Sequence, residues 1–156
     1  MMKRILCAVL AAAVLLMMGA CSSQPAKEVS LEQVMASLAA AYGLEEGMLE
    51  LTQDDLLDLY GIQSADVKQF KARIRLESIQ ADEAVLIEAV DAKAAERVLE
   101  KLEARYQSKL NETRDYLPDE YAKIEKCKVA QNGNYVAMII CAEGEMALSE
   151  YQKALK

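Results

Sequence analysis

Apolar positions along this chain follow three regimes. From Ile5 to Ala20 the run is continuously apolar; it follows Lys3-Arg4 and gives way to the polar stretch Ser22-Ser23-Gln24-Pro25. From Leu31 the spacing becomes helical: Leu31, Val34, Met35, Leu38 and Tyr42 share a stripe, Ser30-Leu31-Glu32-Gln33 forms a capping box, and Gly43 stops the helix. A second start at Thr52 carries Asp54 and Asp55 in its first turn, where they complement the helix dipole, with Leu56, Leu57, Leu59 and Tyr60 inward and Gly61 as the stop. From Phe70 the period drops to two. Phe70, Ala72, Ile74 and Leu76 fall on one face, and Lys71, Arg73, Arg75 and Glu77 on the other, as in a half-exposed strand.

The remaining elements follow from the same logic. Ala84 to Val90 is more continuously apolar and reads as a neighbouring strand, with Gln80 to Glu83 as the connection. Asp91 caps a long helix from Ala92 to about Tyr116, whose inner stripe is Ala95, Val98, Leu99, Leu102, Tyr106, Leu110 and Thr113; Pro118 ends it or begins a short further turn. Lys123 to Gln131 and Asn134 to Ala142 read as a second hairpin, and Glu143 to Leu155 as a last helix. The expected fold class is α+β: two short N-terminal helices, then ββαββα, with an antiparallel sheet carrying the two long helices on one face. A weak echo between the stretches that start at Ala84 and Ala137 runs through both halves at constant offset.

Local chemistry fixes some details. Asn132-Gly133 suits a type I′ turn, which sets Gln131 opposite Asn134, Val129 opposite Val136, Cys127 opposite Met138 and Ile124 opposite Cys141. Side chains alternate along a strand, so Cys127 and Cys141 point to opposite faces, and no disulfide is expected between them. Two small buried thiols are the plain reading.

The N-terminus decides location. A positive start followed by a short apolar run has the layout of a secretory signal, and the run is shorter than the ~20 apolar residues a spanning helix needs. Met18-Gly19-Ala20-Cys21 resembles a bacterial lipobox. That resemblance implies diacylglyceration of Cys21, cleavage before it, and a palmitate-labelled lipoprotein on the extracytoplasmic face of the cell membrane. The expected organisation is a signal peptide over residues 1–20, a lipidated tether over 21–29 and one α+β domain over 30–156. Two or more acyl chains hold such a domain stably on a bilayer. Residues 22–29 extend at most ~30 Å at roughly 3.3–3.6 Å per residue, so the partners are expected near the membrane.

Composition narrows the function classes. The formal charge of −7 becomes more negative once Lys3 and Arg4 leave with the signal, which argues against nucleic acid and against electrostatic adhesion to anionic lipid. No histidine occurs, so the commonest general base and the commonest neutral metal ligand are both missing. Two thiols without histidine make an incomplete zinc site. The acidic residues Glu45, Glu46, Glu50, Asp54, Asp55 and Asp58 lack the alternation of a calcium loop, and Asp82-Glu83 reads as turn chemistry. Ser64, Ser78, Ser108 and Ser149 stand in no nucleophile-elbow context, and no phosphate-cradling glycine loop appears. The reading therefore assigns no catalytic residues, no metal and no cofactor. Lys71, Arg73 and Arg75, with Lys126 and Lys128 on another strand, form a candidate stripe for an anion or an acidic partner, set against edge protection and ion pairing as the plainer account.

Four stretches taken together, "LYGI" at Leu59, "ADEAVLIEAVDAKAAERVLEKLEARY" at Ala81, "YLPDEYAKIEK" at Tyr116 and "NGNYVAMII" at Asn132, resemble the bacterial lipoproteins grouped as domain of unknown function family 4358. The resemblance implies small lipoproteins without an assigned activity, so it supports location and adds no chemistry. The preferred functional expectation is a non-enzymatic interaction module near the bilayer, anchored through Cys21 and binding no nucleic acid. Two other classes remain: a receptor holding a small ligand between the sheet and the N-terminal helices, and a histidine-free hydrolase.

Overall fold

β3 (Glu83–Ala89) is buried at every position, and this one strand explains the architecture. A strand apolar on both faces must be covered on both, so the domain has three layers. The computed structural model describes residues 29–76 and 79–156. Its elements run α1 (Leu31–Tyr42), β1 (Leu49–Glu50), α2 (Gln53–Tyr60), a 3₁₀ turn (Ser64–Asp66), β2 (Val67–Ile74), β3, α3 (Ala92–Thr113), α4 (Pro118–Ile124), β4 (Val129–Asn132), β5 (Tyr135–Ile140) and α5 (Gly144–Ala154). The chain is an α+β protein with one five-stranded antiparallel sheet in the order β1-β2-β3-β5-β4.

On face one, Ala72, Ile74, Val85, Ile87, Val136 and Met138 pack under α2, α3 and α4 through Leu56, Tyr60, Val98, Leu102 and Ile124. On face two, Ala84, Leu86, Ala137 and Ile139 pack under α1 and α5 through Leu31, Met35, Leu38, Ala147, Leu148 and Tyr151. The expectation that both long helices share a face is therefore corrected: α3 and α5 lie on opposite faces. The physical reason is the two-sided apolarity of β3 and β5. An amphipathic helix leaving such a strand finds an apolar surface on either side, so its pattern carries no face preference. The echo between Ala84 and Ala137 has the same limit. A two-fold relation between adjacent antiparallel strands keeps faces unchanged and would put both helices on one side.

Other departures have local causes. α2 buries Leu56 and Tyr60 and leaves Leu57 and Leu59 exposed, because a two-turn helix offers face one only the i, i+4 pair. Pro118 opens α4, so residues 123 and 124 are helical and β4 begins only at Val129. The short β1 pairs Leu49 and Glu50 with Ile74 and Arg73, within a stretch read as loop. In the second hairpin Asn132 pairs with Tyr135, Gln131 with Val136 and Val129 with Met138, so the turn sits one residue later and each partner two residues on from the expected register. Gly133, at φ 59°, occupies the first of the two loop positions, and among the described residues only glycines have positive φ; that is the type II′ pattern rather than I′. The face assignment is unaffected. Cys127 sits in the face-one core and Cys141 in the face-two core, both as free, buried thiols.

Helix starts follow from side-chain caps. Thr52 and Asp55 form a complete capping box, Asp91 accepts from the Ala94 amide, and Ser30 accepts from the Gln33 amide.

Candidate functional site

At the two ends of β3 a glutamate interrupts the apolar run. Positions 83 and 88 differ by an odd number, so their side chains leave on opposite faces. Glu83 gathers two cations and Glu88 one, and each end holds a neighbouring segment of chain.

Glu83 lies on face one and is 0% exposed. Arg105 grips it with two parallel bonds, Nε to Oε1 and Nη2 to Oε2, both 3.0 Å. Lys109, one helical turn further along α3, reaches Oε2 at 2.7 Å and also donates to the Ala81 carbonyl at 3.1 Å. Burial alone would push the Glu83 carboxyl up; the Arg105 hydrogen bonds and the Lys109 and Arg105 charges outweigh it and hold the group below its ordinary value. Arg105 also stands over the Tyr60 ring at 5.6 Å. The Tyr60 hydroxyl is buried without a hydrogen bond, and burial, then the Glu83 charge, push its pKa up.

A second tier surrounds this pair. Asp82 accepts from Lys123 at 2.6 Å and from Arg75 at 3.2 Å. Glu120 accepts from Lys123 at 2.6 Å and from the Ala81 amide at 2.7 Å. The Ala81 residue is thus held at both its N–H and its C=O, by α4 and α3 respectively. For Lys123, burial opposes the charge, but the bonds it donates to Asp82 and Glu120 win and hold the ammonium above its ordinary value. Every charge in the tier is matched, and Glu83 has no open face toward solvent. The arrangement can brace chain segments; a carboxylate with both oxygens occupied and no access cannot shuttle a proton to a bound molecule.

At the other end Glu88 lies on face two, bonded to Lys68 at 2.7 Å and to Gln69 Nε2 at 2.5 Å. Gln69 in turn donates to the Val29 carbonyl at 2.8 Å and accepts from the Leu31 amide at 3.2 Å, so this end holds the chain where it enters the domain. Burial pushes the Glu88 carboxyl up, and the hydrogen bonds from Gln69 and Lys68 more than reverse it. Tyr151 packs close by, fully buried, its hydroxyl without a hydrogen bond.

Sequence-predicted site residues fall as follows. Lys71 pairs with Glu32 at 2.5 Å and Glu50 at 2.6 Å. Arg73 donates to the Leu44 carbonyl at 3.1 Å, and Arg75 to the Glu46 carbonyl at 2.8 Å. These three side chains share face two, as alternation requires, but Arg73 and Arg75 fasten the segment between α1 and β1, and Lys71 ties α1 and β1 themselves through Glu32 and Glu50. Lys126 lies in the turn after α4 and Lys128 just before β4, both exposed, with Lys128 3.6 Å from Glu145. Two strands separate β2 from β4, a distance of about 14 Å at the usual strand spacing. The structure does not join the five cations into one stripe. Cys21 and Glu77 lie outside the described residues.

Glu83 was missed because its neighbours read as a turn. Two signals could have found it: a strand buried on both faces begins with a charge, and the inward stripe of α3 turns from Val98 and Leu102 to Arg105 and Lys109. Cations in an apolar stripe announce a buried anion.

Burial pushes the Cys141 thiol up to about 11, which keeps it protonated and unreactive. Among the described residues no group of three or more carboxylates and thiols is placed to hold a metal ion, and no helix is long and apolar enough to cross a membrane. Side chains of α1 fill its contact with the sheet, where the receptor reading placed a ligand. Open space lies further out, in a groove of about 490 Å³ between α1 and α5, bordered by Val29, Val34, Leu38 and Lys153.

A family model described as Domain of unknown function (DUF4358) matches residues 40–141. The chain belongs to that family. The DUF4358 match takes in the whole sheet, both glutamates of β3 and the helices of face one, and it leaves α5 and most of α1 outside. It includes Tyr60, Arg105, Lys109, Glu120 and Lys123, so the Glu83 brace lies wholly within the matched DUF4358 region. The chain matches no curated protein and no solved structure.

Proposed function

We propose that this DUF4358 protein is a bacterial lipoprotein, lipidated on Cys21, that acts on the extracytoplasmic side of the membrane as a non-enzymatic interaction module. The observation that carries the reading is the junction in the sequence: a charged start, an apolar run too short to span, Gly19-Ala20 before Cys21, and a polar leash after it. The fastening of Val29 and Leu31 by Gln69 supports it, because a pull on the leash is borne by the sheet itself rather than by a fraying helix end. The paired, inaccessible charges around Glu83 favour bracing over catalysis. The domain is then a rigid body on a short leash. Palmitate labelling in cells tests the anchor: label on the wild-type chain and none on Cys21→Ala is the expected result, and label that survives the substitution overturns it.

A further inference from the structure

We infer that the outer edge of β4, together with the groove between it and α3, is a pairing site for an extended segment of a partner protein that carries an apolar residue beside Lys or Arg; this rests on the interaction-module reading above. Three observations carry it. First, β4 ends the sheet and presents unpaired backbone there. The two-residue loop makes Asn132 and Tyr135 a pair that exchanges both hydrogen bonds across the hairpin, and bonding then alternates along β4. The neighbouring ladder agrees, since the Asn134 carbonyl turns the other way and accepts from the Ala89 amide at 2.8 Å. The N–H and C=O of Val129 and Gln131 therefore point out of the sheet edge, and no described residue pairs with them. An edge in that state is a template for another strand.

Second, the edge lacks the usual guards and has a groove beside it. Val129 to Asn132 contains no proline and no charge, and its register with β5 runs without a bulge. At the opposite edge of the sheet β1 is only two residues long. Next to Val129 lies a groove of about 440 Å³, bordered by Glu103, Tyr106 and Gln107 of α3 and by Glu125, Lys128 and Val129; no residue of β5 lines it, so it opens on the outer side of β4. Cross-strand partners share a face. A strand added to β4 would thus send the side chain opposite Val129 onto face one, against the half-buried Val129 and Tyr106.

Third, charge and geometry select the occupant. Of the charged side chains on the groove, Lys128 lies 3.6 Å from Glu145, whereas Glu103 and Glu125 are exposed and have no ion-pair partner among the described residues. The rim is complementary to a basic side chain. A second copy of the chain does not fit the anchored arrangement. Two β4 edges related by a two-fold axis pair antiparallel, which would turn the two entry ends to opposite sides, and one bilayer cannot hold both on short leashes.

The test uses the full chain in its native membranes, with a photo-crosslinking residue at Gln107 on the groove or, as a control, at the exposed Asp58 on α2. Palmitate label on the same samples reports the anchor separately, so loss of the label strikes the anchoring proposal and leaves the pairing result readable. Expected are adducts from 107, severalfold above those from 58, on a partner peptide with an apolar residue beside Lys or Arg. Gln131→Pro removes the outward N–H and no bond to β5, so it should lower the yield severalfold; Gln131→Ala loses the same side chain, keeps the N–H and should leave the yield unchanged. Glu103→Lys with Glu125→Lys, at unchanged melting temperature, should also lower the yield severalfold, and this arm decides the matter if the proline variant does not fold. Adducts between two copies of the chain, a yield that survives Gln131→Pro in a folded chain, an equal fall in Gln131→Ala, a yield that survives the paired charge reversal, or no excess over position 58 would each overturn the inference.

Discussion

The two ends of β3 solve the same problem with different parts. Each buries a glutamate, and each glutamate stands near a buried tyrosine whose hydroxyl has no hydrogen bond: Tyr60 by Glu83, Tyr151 by Glu88. At Glu88 the cation is Lys68, half in water, and the intermediary is neutral Gln69, which holds the entering chain by two bonds. At Glu83 both cations are largely enclosed, and a further ionic tier holds a connection. Exposure of the counter-charge therefore sets what the loss of each carboxylate would cost. One end holds Val29 and Leu31 through Gln69, and the other braces the connection at Ala81.

The largest expected effect comes from Glu83→Gln. It leaves Arg105 and Lys109 facing each other without an anion in a dry site, which costs about 3–5 kcal/mol and lowers the midpoint of denaturant unfolding accordingly. Glu88→Gln should cost about 1–2 kcal/mol in the same measurement, since Lys68 can turn to solvent and an amide oxygen still accepts. Equal losses at the two positions would break the comparison.

Acid unfolding sharpens it. Both glutamates have folded values below the ordinary 4.5, so the unfolded chain takes up protons first. Their contribution is complete above that value and is lost as pH falls through the lower folded values. The low-pH limb of a stability profile should flatten in Glu83→Gln and Glu88→Gln relative to wild type. A limb unchanged in both would mean that neither carboxylate is held down by its partners.

Gln69→Ala should cost about 1 kcal/mol, with faster hydrogen exchange at the Leu31 amide as its specific signature. Tyr116→Ser should change stability by less than about 0.5 kcal/mol, because that side chain touches mostly water.

Much of this fold is legible in the chain. Caps at Ser30, Thr52 and Asp91 start helices where the side chains require, and the alternation from Phe70 to Ile74 assigns faces as it should. What could not be read were choices between equivalent surfaces. β3 and β5 are apolar on both sides, so nothing local says that α3 covers one face and α5 the other. The II′ turn at Gly133 and the I′ turn expected from Asn132-Gly133 differ by one residue in loop position and two in pairing, and the dipeptide suits either. Lys71, Arg73 and Arg75 were visible as a stripe, but the partners of the two arginines, the carbonyls of Leu44 and Glu46, are backbone groups of a loop that no side-chain pattern reveals. The Glu83 brace was hidden by its position, since an acidic pair between two strands looks like a turn until the strand beside it is known to be buried on both faces.

The proposed anchoring on Cys21 carries an orientation: the Gln69–Val29 end toward the bilayer and the Ala81–Tyr116 end away from it. Energy transfer measures this directly, with the full lipidated chain on vesicles, an acceptor dye at the bilayer surface, and a donor on Val90→Cys or Tyr116→Cys; the native thiols of the domain are buried. From Gln69 to Arg75 the strand advances about 20 Å. The donor at 90 should transfer efficiently and the donor at 116 weakly, with a separation of that order between them. Equal transfer from both, or stronger transfer from 116, would contradict the account.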